Sequence, residues 1–123
     1  MKLHIAHTEG SNIFTAYGDG YVSVNAVRHS ANLIVLPHRV ITQWTEACIE
    51  TLARSDFTFL ANLDAEIVLL GTGDQVRFPH PELLQPLMQA RKGLEVMDIH
   101  AACRTYNVLA GEGRNVAAAL VFS

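Results

Sequence analysis

Positions 98–107 hold an aspartate, a histidine, a cysteine, an arginine, a threonine, a tyrosine and an asparagine within a single stretch of ten. These are the side chains of acid–base chemistry, thiol chemistry and anion binding, so the first question is which of them can meet. On a helix, Ile99, Ala102, Cys103, Tyr106, Leu109 and Ala110 recur at three-and-four spacing and read as the face that packs on a sheet. The complementary stripe His100, Arg104 and Asn107 points toward a neighbouring loop or solvent. Asp98 precedes the helix, where its carboxylate accepts backbone N–H bonds as an N-cap and complements the positive end of the dipole. Cys103 falls on the packed face, where apolar surroundings raise a thiol's pKa and leave it inert. His100 stands three residues before it, but no third group orients the pair, so no catalytic cysteine is read. Arg104 keeps two readings: its fork of donors suits a substrate anion, or a structural carboxylate such as Asp74, Glu112 or Asp98.

A second feature is the run Gly71, Thr72, Gly73, which follows the short apolar segment 67–70 and so lies at the carboxyl end of a buried strand. Ligands bind at that edge in open α/β sheets, and glycines let backbone N–H groups approach an anion. With Asp74 beside it and the helical stripe, the candidate surface is Gly71, Thr72, Gly73, Asp74, His100, Arg104 and Asn107. A dinucleotide fingerprint needs a third glycine where this chain has Val76, and a helix opening at once where 74–81 reads as loop. The simpler reading is a tight turn whose glycines supply positive φ. GxSxG, Walker A, HExxH and CxxC patterns are absent, and His4, His7, His29, His38, His80 and His100 lack metal-ligand spacing. No catalytic residue, cofactor or metal is read.

The elements that must position these residues follow from periodicity and punctuation. Leu3 and Ile5 alternate with His4, and 13–17 and 21–24 are short β-rich runs joined by a tight Gly18, Asp19, Gly20 loop. Segment 33–36 is an apolar strand stopped by Pro37, and 40–44 reads as its continuation after a kink. Segments 45–52 and 55–63 have helical spacing, the second started by Ser55 and Asp56. Segment 67–70 is a central strand covered on both faces. Segment 81–92 reads as a helix with Pro81 in its first turn and Gly93 as its stop, although Pro86 must delay the start or kink the axis. Strand 94–97, helix 100–110 and strand 116–122 complete the chain. Two strands joined through a crossover of more than twenty residues make a parallel βαβ unit between Ile67 and Met97.

Size and composition set the frame. A chain of 123 residues supports one domain, 1–123, and half of them are apolar with 17% charged, enough for a buried core. The expected fold is a single three-layer α/β domain: a mixed central β-sheet with a parallel βαβ unit, flanking helices and an N-terminal β-rich part. The net charge of −3, with Lys and Arg scattered, gives no basic stripe, so nucleic acid is not expected as a partner. Cys48 and Cys103 do not form the dense bridging pattern of secreted domains, and no apolar run reaches the length of a membrane span. A cytoplasmic protein that is not an integral membrane protein is expected. An exposed Phe57 or Phe59 leaves room for a homo-oligomer.

One resemblance is specific. GTG after a short apolar strand, Met97 and Asp98, AACRTYNVL at 101–109, and EGR followed by VAAAL at 112–120 resemble a small-domain family of unknown function. That family occurs in bacteria and archaea, and includes the mitochondrial complex I assembly factor three and an adipogenesis-associated protein. The likeness extends to YGDG at 17–20, Pro37 and Trp44. It implies a compact three-layer α/β domain with a mixed sheet, no established catalytic activity, and a role in assembling membrane or respiratory complexes through protein contacts. Family members often carry Thr where this chain has Ile99, so a hydroxyl-based proposal there does not transfer. Two functions follow as expectations: a binding or assembly module with a protein partner, and, as the alternative, a small-molecule anion-binding protein or enzyme that clamps its ligand between Arg104 and the Gly71 to Gly73 turn.

Overall fold

The computed structural model describes residues 10–123; the expected strand around Leu3 and Ile5 lies outside them. Three strands form an antiparallel sheet in chain order: β1 (Phe14–Gly18), β2 (Tyr21–Val24) and β3 (Val27–His29). Gly18 pairs with Tyr21, so Asp19 and Gly20 alone make the first turn, and Gly20 takes φ +73°, which a glycine adopts without a Cβ clash. The second turn, Asn25 and Ala26, also holds positive φ, +50° and +67°, and brings Val27 opposite Val24. Strand β3 was not expected from the sequence, because Ala26 is not a residue that signals such a turn.

Among the described residues the larger sheet has five strands in the order β5-β4-β8-β6-β7. These are β4 (Leu33–Leu36), β5 (Arg39–Thr42), β6 (Ile67–Thr72), β7 (Gly93–Met97) and β8 (Val116–Val121). β4 runs antiparallel to β5 and β8, whereas β6 runs parallel to both β7 and β8, so the sheet is mixed as expected. Leu36 pairs with Arg39, which makes Pro37 and His38 a two-residue turn. Segment 40–44 therefore does not continue the preceding strand past a kink; the chain reverses there and returns as the edge strand β5.

Side chains alternate across a strand, so a strand that is apolar throughout must be covered twice. Leu33 and Val35 of β4, Leu69 of β6, and Val116, Ala118 and Leu120 of β8 share one core with the three-stranded sheet and α3 (Ile99–Gly111). Ile34 and Leu36, Val68 and Leu70, and Ala117, Ala119 and Val121 share the opposite core, under α1 (Arg54–Ala61) and α2 (Gln85–Gln89). The result is three layers, with the five-stranded sheet in the middle.

Two helical expectations are corrected. Segment 45–52 yields only one 3₁₀ turn, Ile49–Thr51, because its backbone is spent on neighbours. The Asn32 amide donates to the carbonyls of Thr45 and Ala47, and the Ile49 N–H donates to the Ser123 carbonyl. Segment 81–92 is a 3₁₀ turn, Pro81–Leu84, followed by the five-residue α2, which starts late with Pro86 in its first turn. No helix among the described residues is long and apolar enough to cross a membrane.

Candidate functional site

Asp98 caps α3 as expected, its Oδ1 accepting from the Ala101 N–H at 2.9 Å. Ile99, Ala102, Cys103, Tyr106 and Ala110 are buried against the sheet, so the apolar face was read correctly. Burial pushes the Cys103 thiol up to about 12, and Arg104 nearby offsets only part of that. Such a thiol is not a nucleophile at neutral pH. Burial also raises the Tyr106 phenol, whose O–H donates to the Asn12 carbonyl at 2.9 Å.

The polar stripe is brought together, but against β1. Asn107 is 3% exposed; its Nδ2 donates to the Phe14 carbonyl at 2.9 Å and its Oδ1 accepts from the Phe14 N–H at 3.0 Å. It pairs with a β-strand residue as another strand would, so the expectation that it faces an open surface is corrected: Asn107 fastens one layer to another. His100, four residues before Arg104, stacks on Tyr17 with centroids 4.1 Å apart and planes 15° from parallel. Its Nε2 lies 3.2 Å from the Gly18 carbonyl, which can only accept, so Nε2 carries the proton. Arg104 is exposed, donates from Nη1 to the Tyr17 hydroxyl at 2.8 Å, and forms no ion pair among the described residues. Of its two readings, the structural carboxylate is replaced by a tyrosine.

The Gly71 to Gly73 run divides by role. A Cβ on Gly71 would meet Leu120 Cδ2 at 2.7 Å, Ala102 Cβ at 3.2 Å and the Ile99 Cα at 3.3 Å, so this glycine is the gap that lets α3 approach β6 and β8. Gly73 takes φ +63°, and its N–H is used by the Val121 carbonyl at 2.8 Å. Thr72 is buried; its hydroxyl donates to the Gln75 carbonyl at 2.8 Å and accepts from the Arg77 N–H at 2.9 Å. Thr72 therefore braces the loop that follows it, and an Arg77–Glu50 ion pair holds the same loop from outside.

Between this loop and the β1–β2 turn lies a cleft of about 390 Å³, lined by Gly18, Asp19, Gly20, Gly73, Asp74, Ile99, His100 and Phe122. Among the described residues its charged lining is Asp19 and Asp74, with no lysine or arginine, a balance that attracts cations and repels anions. Of the seven candidate residues, Gly73, Asp74 and His100 meet here; Arg104 is not part of the lining and is bonded to Tyr17, and Gly71, Thr72 and Asn107 belong to the framework. The run Phe78, Pro79, His80, Pro81 reads from sequence as a stiff connection that can serve docking or only close the fold, since each proline fixes its own φ and restricts its predecessor. In the structure Phe78 is 77% exposed at the end of the braced loop, immediately before the buried Pro79.

Comparison with known proteins adds family membership. The family described as "Protein of unknown function (DUF498/DUF598)" matches residues 14–121. The NADH dehydrogenase (ubiquinone) 1 alpha subcomplex assembly factor 3 of Bos taurus is 34% identical over 127 residues, covering 98% of this chain and 68% of that protein. The mouse counterpart is spanned over only 48% of its length, so this chain corresponds to about half of some of the relatives it matches. The 13 kDa major membrane protein of Francisella tularensis is 28% identical over 122 residues, covering 98% of this chain and 99% of that one. A crystal structure of a Bordetella parapertussis protein superposes with a TM-score of 0.85 at 36% identity, covering 95% of this chain and all of that one. The chain belongs to the DUF498/DUF598 family of proteins of unknown function.

Proposed function

We propose that this chain is a non-catalytic binding or assembly module that works through protein contacts made by the 73–78 loop and the adjoining cleft. The observation that carries this reading is Phe78: a large apolar side chain held in solvent on a loop whose backbone is fixed by Thr72, by Arg77 and by the buried Pro79. An aromatic anchor on a preorganised loop loses little conformational entropy when a partner covers it, and such residues dominate interface energetics. The acidic cleft beside Gly73 and Asp74 complements it by favouring a partner segment that carries a basic side chain. Relatives named as assembly factors of NADH dehydrogenase support the same class of role, in building membrane or respiratory complexes, and a cytoplasmic location fits that reading. The alternative, an anion held between Arg104 and the glycine turn, is disfavoured by the acidic lining, by the engaged Gly73 N–H and by the position of Arg104 outside the cleft.

The test is crosslinking and affinity capture with the full chain, comparing Phe78→Ser with Met88→Ser, an equally exposed apolar residue on α2. Phe78→Ser should lose specific partners that wild type and Met88→Ser retain, with melting temperature unchanged. Identical partner sets for all three proteins would refute the assignment of this surface.

A further inference from the structure

A second cavity, of about 680 Å³, lies at the opposite end of the central sheet from the acidic cleft. Its walls are the β4–β5 turn and the turn that joins α3 to β8, and Leu36, Pro37 and Ala110 supply apolar lining. Among the described residues its lining includes three with cationic or titratable side chains: His38, Arg39 and Arg114. Neither arginine forms an ion pair among the described residues. Among the described residues the one carboxylate in the lining, Asp64, accepts from the Asn115 amide at 3.4 Å and lies within the field of Lys92. It is thus partly compensated from its own side, which leaves the guanidiniums as the unbalanced charge.

Both walls are rigid. Asn12 braces the first, its N–H donating to the Pro37 carbonyl at 2.7 Å and its Nδ2 to the Leu36 carbonyl at 2.8 Å. The second is fixed by the Gly113 N–H on the Ala110 carbonyl at 3.0 Å and the Arg114 N–H on the Leu109 carbonyl at 2.9 Å. These two bonds also occupy carbonyls at the negative end of α3, which would otherwise oppose an anion. A preformed concavity of this size with an apolar wall and a few convergent donors is the usual form of a small-ligand site.

We propose that this cavity binds a phosphomonoester with an apolar body, its phosphoryl group held by Arg39 and Arg114 and its body against Leu36, Pro37 and Ala110. Two guanidinium forks match the several acceptor oxygens of a phosphoryl dianion better than they match a single carboxylate. The site is independent of the protein-contact surface proposed above and shares no residue with it.

The test titrates the full chain with phenyl phosphate, inorganic phosphate and phenol, following heat of binding and melting temperature. In a parallel arm, it is co-sedimented with phosphatidylcholine vesicles with and without phosphatidic acid. Phenyl phosphate should bind saturably and more tightly than inorganic phosphate, and phenol should not bind. Arg39→Gln and Arg114→Gln should each weaken binding about tenfold, the scale of one charge-assisted contact, whereas Arg28→Gln, whose guanidinium sits over Tyr21, should not. Binding to phosphatidic acid vesicles alone, lost in the Arg39→Gln/Arg114→Gln variant, would support the site with a lipid headgroup as the source of the phosphate. Saturable binding of the soluble ester, lost in the same variant, would support it with a free metabolite. No binding in either arm, or binding that the double variant retains, would overturn the proposal.

Discussion

Replacing Asn107 by alanine should cost this protein much of its stability. The side chain makes two hydrogen bonds to one residue, and its loss strands the buried Phe14 N–H and C=O together. Each unsatisfied buried group costs ~1–3 kcal/mol, and since the two share one site their sum is not fully additive, giving about 2–4 kcal/mol. For a chain of 123 residues that corresponds to a fall of about 8–16 °C in melting temperature. Urea denaturation gives the free energy, and amide exchange at Phe14 reports whether β1 has come loose from α3. Asn107→Asp supplies a sharper signature. Its carboxylate accepts from the Phe14 N–H but, when ionised, cannot donate to the carbonyl and buries a charge. When protonated, its O–H restores the second bond. Its folded pKa is thus raised above the unfolded value of about 3.9, so this variant's stability is present below that value and is lost as pH rises through the folded pKa. An Asn107→Ala variant within about 0.5 kcal/mol of wild type, or undiminished protection at Phe14, would refute the claim that this residue fastens the layers.

Three further outcomes follow from the same geometry. Gly71→Ala places a Cβ 2.7 Å from Leu120 Cδ2 and 3.3 Å from the Ile99 Cα; the leucine can rotate but the backbone cannot, so a loss of ~1–3 kcal/mol is expected in denaturant melts. Ala26→Gly relieves a residue held at φ +67°, worth about 1–2 kcal/mol, against about 0.4–1 kcal/mol of added unfolded-state entropy, so the melting temperature should rise slightly. Cys103, whose thiol burial holds at about 12 against an ordinary 9.0, should resist a disulfide reagent at pH 8 while the partly exposed Cys48 reacts, and both should react in denaturant. Because its folded pKa is the higher one, its contribution to stability is complete below pH 9 and is lost between about 9 and 12, which alkaline melts of wild type and Cys103→Ala can separate.

What could be read from the sequence was set by how locally each decision is made. Leu33 to Leu36, Ile67 to Leu70 and Val116 to Phe122 are apolar at every position, and such short runs rich in β-branched residues or bounded by turn residues read as strands covered on both faces. The α3 apolar stripe and its Asp98 cap are likewise local, since capping and three-and-four spacing involve residues within two turns. Segment 45–52 has the same helical spacing yet forms one 3₁₀ turn, because Asn32 and the Ser123 carbonyl take its backbone groups. Trp44 is similarly spent on the Leu120 carbonyl at 3.1 Å. Those partners are far off in sequence, and no spacing rule reveals them.

The same distinction explains the candidate site. His100, Arg104 and Asn107 do share one face, as their spacing required, but spacing cannot say what that face meets. It meets β1 at three successive points, Gly18, Tyr17 and Phe14, and with Tyr106 on Asn12 it forms a seam between the helix and the N-terminal sheet. A crowd of polar residues on one helix is therefore compatible with chemistry and with joinery alike, and the deciding quantity is whether their donors are already spent. In α3, His100 and Asn107 are spent on backbone carbonyls and Arg104 gives one of its donors to Tyr17. At Arg39 and Arg114, which sit far apart in sequence, no carboxylate among the described residues claims the guanidiniums, and the proposed phosphoryl site draws on that capacity.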